Sequence, residues 1–257
     1  NETMPRIEIL CVPVDIVMQE EVLQKITGFL RSPSQYHIAT PNPEMIVEAQ
    51  RNPALKEVLR RTSLNLPDGV GLVWALRRAQ GKLKKGNMPS RIVRVTGTDT
   101  LLALCSSESR ISPPERIFLL GAAPGIAERS AEVLREKNPA LKIVGTYAGS
   151  PKVEAEEEII QRINAASPTL LFVAYGAPAQ DLWIARNLGK LPSVKVAMGV
   201  GGAFDFIVGK QKRAPRVFQS IGLEWLWRLM QEPRRAKRIW NAVVVFPWLV
   251  WSKGIKE

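Results

Sequence analysis

The sequence predicts an α/β fold: a mostly parallel, Rossmann-like sheet with flanking helices, followed by a basic, Trp-rich helical C-terminal appendage. After residue 115, short apolar runs such as RIFLLG, TLLFVAYG and VKVAMGVGG alternate with longer segments that repeat apolar residues every three to four positions. Apolar strands that alternate with helices favour parallel pairing through right-handed crossovers. At 257 residues with 46% hydrophobic content, the chain is long enough to bury one large core.

The first half of the chain is less regular, but its apolar spacing still separates strands from helices. Its predicted elements are a strand over 7–14, a helix over 20–30, a strand over 36–39, a helix from Glu44, a helix around 55–61, a short strand from Leu64, a helix over 70–78 and a helix over 101–105. Two prolines in Thr40-Pro41-Asn42-Pro43 favour an extended turn before the helix at Glu44. Residues 82–90 are basic and irregular, which predicts a mobile loop.

The second half predicts strand and helix in alternation. Its predicted elements are strands over 116–121, 141–149, 169–178 and 194–202, with helices over 122–138, 154–166 and 179–191 between them. We therefore place an α/β catalytic domain at 1–209 and a membrane-associating appendage at 210–257.

The appendage differs from the rest of the chain in its charge and its tryptophans. Residues 210–257 hold 11 Lys and Arg against 3 Glu, which is +8 of the formal net charge of +12, and five of the seven Trp. Basic residues interleaved with Trp and Leu favour an interface helix on an anionic membrane. We expect no nucleic-acid partner, because no RNA- or DNA-binding motif is present and the aromatics lie beside aliphatic residues rather than forming a stacking platform.

The same segment is too short to cross a bilayer. Its longest apolar run, 239–251, has 13 residues and is interrupted by Asn241 and Pro247, whereas a spanning helix needs about 20. The N-terminus shows no basic flank followed by an apolar run, so no signal peptide is expected. Two cysteines, Cys11 and Cys105, are expected to be buried free thiols in a reduced compartment. The protein is therefore expected to lie on a membrane rather than to cross it.

Ligands of an open parallel sheet bind at the carboxyl ends of the strands. Here those ends fall at Thr40–Asn42, Pro67–Gly69, Gly121–Gly125, Tyr147–Ser150, Gly176–Gln180 and Gly199–Asp205. Glycine recurs at most of them, which lets the backbone approach a ligand and leaves helix N–H groups for an anion. A phosphate-bearing ligand is expected, although each glycine alone is equally consistent with a tight turn.

The glycine pattern favours a mononucleotide or a sugar nucleotide over NAD or ATP. The run Gly121-Ala122-Ala123-Pro124-Gly125 departs from G-x-G-x-x-G, no acidic residue closes the next strand, and no P-loop is present. The residues that we expect at the nucleotide are Gly121, Ala122, Gly125, Gly176 and Pro178.

Metal and cofactor chemistry is not expected. The chain has one His and five Asp, never two in an Asp-x-Asp pair, while hard cations with phosphates usually need converging carboxylates. A diphosphate leaving group would then be stabilised by Arg and by backbone N–H donors. His37 lies inside a predicted strand and is interpreted as a core residue rather than a base.

Asp68 is the sharpest candidate for a general base, because it ends a strand just before a helix. From position alone, a role as helix N-cap is equally consistent. The other polar candidates also have two interpretations each. Thr40 and Asn42 would orient a hydroxyl or satisfy their own turn. Gln180 would bind substrate or occupy a first helical turn, and Arg94 would meet a phosphate or be a solvated loop charge.

Six stretches together resemble the WecG/TagA/CpsF glycosyltransferases, known as glycosyltransferase family 26. They run in order over nearly the whole chain and are ATPNPEMIVEAQ, NLPDGVGLVWA, RVTGTD, FLLGAAPGIAE, LLFVAYGAPAQDLWI and AMGVGGAFDFIVGKQKRAPRVFQSIGLEWLWRLMQEPRR. The last stretch is especially specific to the family.

The resemblance implies an inverting bacterial glycosyltransferase that needs neither a metal nor a cofactor. Such an enzyme moves a sugar from a UDP-sugar to a polyprenyl-diphosphate-linked sugar. Characterised relatives transfer N-acetylmannosamine or its uronic acid onto lipid-linked N-acetylglucosamine, for wall teichoic acid or surface polysaccharide. The resemblance also implies a cytoplasmic protein that is peripheral on the inner face of the cell membrane. Relatives self-associate, but the sequence does not fix the number of subunits.

The family's functional residues match positions already singled out. Its proposed catalytic Asp lies in the same PDG turn and matches Asp68, which favours the base over the cap. The substrate-binding residues that the resemblance implies are Thr40, Asn42, Arg94 and Gln180. The appendage is implied to close the site and to supply arginines for the lipid diphosphate, which are Arg228, Arg235 and Arg238. GAPAQD stands here in place of the more usual GAPKQE, so Ala179 and Asp181 depart from the pattern.

Two other classes stay open from the sequence. A non-catalytic membrane-surface adaptor would use the basic, Trp-rich tail for anionic lipid and would turn over no sugar nucleotide. A soluble nucleotide-binding enzyme would use the tail as an oligomer interface and would show no lipid dependence.

Overall fold

The structure, a computed structural model, describes residues 4–82, 92–107, 115–210, 226–227, 230 and 236–253. Its strands are β1 (Arg6–Ile9), β2 (Val12–Asp15), β3 (Tyr36–Ala39), β4 (Leu64–Asn65), β5 (Arg116–Gly121), β6 (Lys142–Tyr147), β7 (Leu170–Ala174) and β8 (Val196–Gly199). Its helices are α1 (Gln19–Leu30), α2 (Pro43–Ala49), α3 (Pro53–Arg61), α4 (Val70–Lys82), α5 (Gly97–Leu104), α6 (Ile126–Lys137), α7 (Glu156–Ala166), α8 (Ala179–Asn187), α9 (Ala203–Ile207), α10 (Ala236–Trp240) and α11 (Phe246–Lys253). A π-helical segment, Asn241–Val245, joins α10 to α11.

A six-stranded sheet forms the centre, in the order β4-β3-β8-β7-β5-β6, and every neighbouring pair is parallel. The chain moves from β5 to β6 in one direction and from β7 to β8 in the other, so the strand order reverses between β5 and β7. Ligand crevices form at such reversals, outside the carboxyl ends of the strands. The predicted α/β class and parallel sheet are confirmed.

The single strand predicted over 7–14 is wrong. This segment forms two antiparallel strands, β1 and β2, in a separate hairpin. Leu10 and Cys11 form its turn with φ angles of 52° and 64°, a conformation for which glycine or asparagine is preferred. Neither residue type stands there, so no turn signal interrupted the apolar run.

Helices cover both faces of the sheet. On one face α1, α5, α6 and α9 pack together and bury side chains such as Ile26, Leu101 and Leu134. On the other face α7 and α8 bury Ile163 and Trp183. Strand β7 is buried at every position, as expected of a strand covered on both sides.

The two cysteines are free thiols in different environments. Cys105 is buried, and desolvation raises the pKa of its thiol to about 12. Cys11 is only half-buried in the hairpin turn, so the expected burial is confirmed for Cys105 and wrong for Cys11.

The C-terminal helical run, 236–253, packs into the core and confirms the helix predicted for the appendage. Phe246 and Val250 are buried in the same cluster as Ile46 of α2 and Leu76 of α4. None of the described helices combines the length and the apolar character that a bilayer span requires. The domain boundary at 209/210 stays a prediction, because residues 211–225 lie outside the described ranges.

Candidate active site

Three strand ends meet at one edge of the sheet, where β3, β4 and β8 stop. Thr40 follows β3, and its hydroxyl donates to the carbonyl oxygen of Gly199 at the end of β8, at 3.2 Å. Gly97 begins α5 against the same two strands. A Cβ atom at this glycine would lie 3.3 Å from both Thr40 Cγ2 and the Cα atom of Val200. The missing side chain thus lets α5 approach the edge.

Asp68 lies over the same edge and is held there by its backbone. Its N–H donates to the carbonyl oxygen of Pro41, and the N–H of Val95 donates to that of Pro67, both at 3.0 Å. The second bond brings Arg94 beside the turn, where its Nε lies 3.6 Å from Asp68 Oδ1. The side chains of Arg94 and Asp68 are 28% and 31% exposed, so a ligand can reach this ion pair.

Asn42 caps α2 from the turn that faces Asp68. Its backbone is extended, and its Oδ1 accepts a hydrogen bond from the N–H of Met45 at 2.9 Å. The helix begins at Pro43, one residue earlier than expected, because proline suits the first helical position. The side-chain oxygen of Asn42 is therefore occupied as the cap of α2, and a substrate contact would fall to its side-chain nitrogen, Nδ2.

The turn after Asp68 requires a glycine. Gly69 has a φ of 101°, and a Cβ atom there would lie 3.1 Å from Pro43 Cδ. Because both the backbone conformation and the close approach exclude a side chain, the turn that carries Asp68 packs directly on the turn that carries Asn42.

Gln180 lies beneath this edge rather than on it. Its side chain is 2% exposed, and its Oε1 accepts from the N–H of Gly201 at 2.9 Å. A Cβ atom on Gly199 would lie 2.6 Å from Gln180 Nε2, so this glycine makes room for the amide. Gln180 therefore supports the turn that follows β8.

Asp181, the next residue in the chain, belongs to a buried hydrogen-bonded pair that was not predicted from the sequence. Asp181 is fully buried, and its Oδ1 lies 3.3 Å from Nε2 of His37 on β3. His37 is buried in the core, as predicted. The pair ties α8 to β3 behind Thr40, but 144 residues separate its members, so no local pattern could link them.

The loops after β5 and β7 continue the edge. The N–H of Ala122 donates to the carbonyl oxygen of Ala174 at 3.0 Å. Gly121 has a φ of 109°, and a Cβ atom there would lie 2.8 Å from the carbonyl carbon of Ala174. Gly125 and Gly176 also have positive φ angles, of 82° and 76°. The five residues expected at the nucleotide thus lie on two adjacent loops.

A cavity of about 510 Å³ opens beside these loops, at the carboxyl ends of β5 and β6. Its lining residues are Pro124, Gly125, Glu128, Tyr147, Ala148, Gly149, Ser150 and Ala155. Small-molecule sites have volumes of roughly 300–1,000 Å³. The cavity therefore has the volume of a small-molecule site, and it lies along the same carboxyl edge of the sheet as Asp68.

The described part of the chain offers no cluster of three or more His, Cys, Asp or Glu side chains that could hold a metal ion. Positive charge at the edge comes from the Arg94 guanidinium, 3.6 Å from Asp68. Independence from metal stays a prediction, which a chelator can test.

Comparison with known proteins decides the family. A sequence model of the Glycosyl transferase WecG/TagA/CpsF family matches residues 7–257. This chain belongs to the WecG/TagA/CpsF glycosyltransferase family. One relative is the N-acetylglucosaminyldiphosphoundecaprenol N-acetyl-β-D-mannosaminyltransferase of Bacillus spizizenii strain W23. It is 31% identical over 226 residues, which cover 88% of this chain and 83% of that protein. The resemblance stated from the motifs is confirmed.

In this WecG/TagA/CpsF chain the C-terminal helix approaches the Asp68 edge from the side of α2 and α4. Arg238 pairs through its Nε with Glu44 Oε1 in the first turn of α2. A Cβ atom on Gly71, in the first turn of α4, would lie 3.9 Å from the carbonyl oxygen of Ala242. Glu44 was not among the sequence candidates, because an acidic residue in a first helical turn is ordinary.

Some expectations for the family's site fall on residues that the structure does not describe. Arg228 and Arg235 lie outside the described ranges, as do residues 83–91, which include most of the basic loop. The catalytic and substrate-binding candidates divide into two groups. Thr40, Asn42, Asp68 and Arg94 come together at one edge, and Gln180 supports that edge from below.

Proposed function

We propose that this chain is an inverting, metal-independent glycosyltransferase that moves N-acetylmannosamine from a UDP-sugar to polyprenyl-diphosphate-linked N-acetylglucosamine. The observation that carries the proposal is the reachable Asp68–Arg94 pair at the carboxyl edge of the sheet, beside glycine loops suited to a diphosphate. Membership of the family supports glycosyl transfer. The name of the Bacillus spizizenii relative supports the sugar and the lipid-linked acceptor.

In the proposed reaction, Asp68 acts as the general base. The acceptor hydroxyl oxygen attacks the anomeric carbon of the donor and forms the new glycosidic bond. Its proton passes to an Asp68 carboxylate oxygen, while the bond from the anomeric carbon to the phosphate oxygen breaks and its electron pair leaves with UDP. An in-line attack of this kind inverts the anomeric configuration. A positioned base typically contributes about 10²–10⁴-fold to the rate.

Charge on the departing diphosphate needs stabilisation without a metal. We propose that Arg94 serves this purpose, because its guanidinium lies at the edge and its partly exposed position lets it contact a phosphate. The N–H groups that follow the positive-φ glycines of the loops supply further donors. Thr40 and Asn42 would bind the sugar or the acceptor. Gln180 would position the turn after β8, where it accepts from the N–H of Gly201, rather than contact the substrate itself.

We further propose that the C-terminal helix brings the enzyme to the inner face of the membrane. Its inner side is held by buried Phe246 and Val250, whereas Trp240, Trp248 and Trp251 on other sides are 61%, 61% and 71% exposed. A helix that is apolar on both sides needs an apolar environment for each of them, and interface Trp residues suit the headgroup level. Arg238, with Arg228 and Arg235, would bind the lipid diphosphate there.

Release of UDP by the full-length protein tests the proposal. A panel of UDP-sugars is combined with detergent-dispersed polyprenyl-diphosphate-N-acetylglucosamine in the presence of EDTA. We expect acceptor-dependent UDP release with one donor. Asp68→Asn should lower kcat by about 10²–10⁴-fold with UDP affinity unchanged, because the base is needed mainly in the transition state.

The matched control is Glu57→Gln, which removes an exposed carboxylate paired with Arg61 on α3 and should leave turnover unchanged. Turnover that survives in Asp68→Asn would remove Asp68 from the mechanism. Binding to vesicles without UDP release from any donor would favour the membrane adaptor instead.

A further inference from the structure

We infer that the cavity beside β5 and β6 holds the nucleoside of the donor, and that Glu128 binds the vicinal hydroxyls of its ribose. The inference rests on the proposed UDP-sugar-dependent reaction and adds a residue that determines its nucleotide specificity. Glu128 was not predicted from the sequence, because no acidic residue closes β6, where a ribose-binding acid usually stands.

The position of Glu128 replaces that missing acid. Glu128 lies in the first turn of α6, and its Oε1 accepts from the hydroxyl of Thr146 at 3.5 Å. Thr146 is the second-last residue of β6, so the carboxylate lies over the carboxyl end of that strand. In dinucleotide-binding βαβ units, an acid at this strand end binds the ribose hydroxyl. Here the helix of the unit supplies the acid to the same place.

The chemistry of the cavity supports one anchoring carboxylate. Among the described residues that line it, Glu128 carries the one acidic side chain. Tyr147 forms a fixed wall, because its hydroxyl donates to Glu158 at 2.9 Å and the guanidinium of Arg162 lies 4.3 Å from its ring centre. Gly125 also lines the cavity, and no atom lies within 4 Å of the position of its Cβ. Two neighbouring hydroxyls can donate to the two oxygens of one carboxylate.

The distance across the sheet suits an extended sugar nucleotide. β5 and β6 lie three and four strands from β3, and adjacent strands are about 4.8 Å apart, so the cavity is roughly 15–20 Å from the end of β3. A donor that lies across the strand ends would place its nucleoside in the cavity and its diphosphate over the loops after β5 and β7. Its sugar would then reach Thr40 and Asp68.

Calorimetric binding of UDP and 2′-deoxy-UDP to the full-length protein tests this assignment. We expect the wild type to bind UDP about tenfold more tightly than the deoxy ligand, because a hydrogen bond to a charged group is lost. Glu128→Gln should bring this preference close to one. Removing the negative charge also changes the affinity for the diphosphate, but it does so equally for both ligands and cancels in the ratio.

The matched control is Glu132→Gln, one turn further along α6, where the carboxylate pairs with Arg129 at the surface and lies outside the cavity lining. It should keep the wild-type preference. A Glu128→Gln protein that keeps the preference as well would remove Glu128 from the ribose, while the proposed donor would stand. A wild type that binds no UDP would overturn the donor assignment together with this inference.

Discussion

Gly69 shows how the candidate site depends on the backbone conformation of single residues. At a φ of 101° and with Pro43 Cδ 3.1 Å from the position of a Cβ atom, Gly69→Ala should lower the free energy of unfolding by about 1–3 kcal/mol. It should also lower kcat, because the turn carries Asp68. Urea unfolding and UDP release measure the two effects.

Gly28 provides the control for that change. It lies inside α1, and no atom is within 4 Å of the position of its Cβ, so Gly28→Ala should stabilise the protein by about 0.5–1 kcal/mol. Equal stabilities of the two variants would show that the turn at Gly69 tolerates a side chain.

Single residues also show how far sequence reasoning reaches. Asp68, Thr40 and Arg94 were selected because strand ends and motif positions are local features, and parallel pairing brings them to one edge. Their roles in catalysis and binding stay predictions. The burial of Gln180 was not predictable, because it depends on the space that Gly199 leaves in a neighbouring strand. Glu128 was missed for a similar reason, since its place over β6 depends on how α6 packs.

At the scale of elements, α11 joins the C-terminal segment to the α/β core. Phe246 is fully buried against residues of α2 and α4, and Phe246→Ala should lower the free energy of unfolding by about 3–5 kcal/mol. Trp248 lies in the same helix and is 61% exposed, so Trp248→Ala should change the free energy of unfolding by less than about 0.5 kcal/mol. Denaturant unfolding of both variants measures the difference. Equal stability would support a catalytic domain, 1–209, that folds without its appendage.

Elements were predictable where their apolar pattern was uninterrupted and bounded by turn residues. β7 and β8 follow this rule over their whole length and β5 does so after Arg116, because strands covered on both faces are apolar. The β1–β2 hairpin breaks it, because Leu10 and Cys11 turn the chain without a glycine or an asparagine. The turn lies between Ile9 and Val12, which are both buried, so it falls inside one apolar run of the sequence.

On the scale of the whole molecule, charge and exposed apolar surface coincide at one end of the chain. Residues 210–257 contribute +8 of the net charge of +12. On α4, Trp74 is also 42% exposed, and it lies one turn from Gly71, where a Cβ atom would be 3.9 Å from the carbonyl oxygen of Ala242. In the proposed function, binding of the lipid-linked acceptor and attachment to anionic lipid would therefore use the same side of the molecule.

Replacement of Trp240, Trp248 and Trp251 by serine tests this arrangement. Co-sedimentation with vesicles of phosphatidylcholine and phosphatidylglycerol should weaken by about tenfold or more, since burial of even one large apolar side chain contributes about 1.5–3 kcal/mol. Unfolding should be unchanged, because all three side chains are exposed. The control is Val153→Ser, which removes an apolar side chain that is 65% exposed but lies outside the C-terminal run. It should leave vesicle binding intact. If the triple variant binds vesicles normally but no longer self-associates, this surface is an interface between copies of the chain, and the membrane must be bound elsewhere.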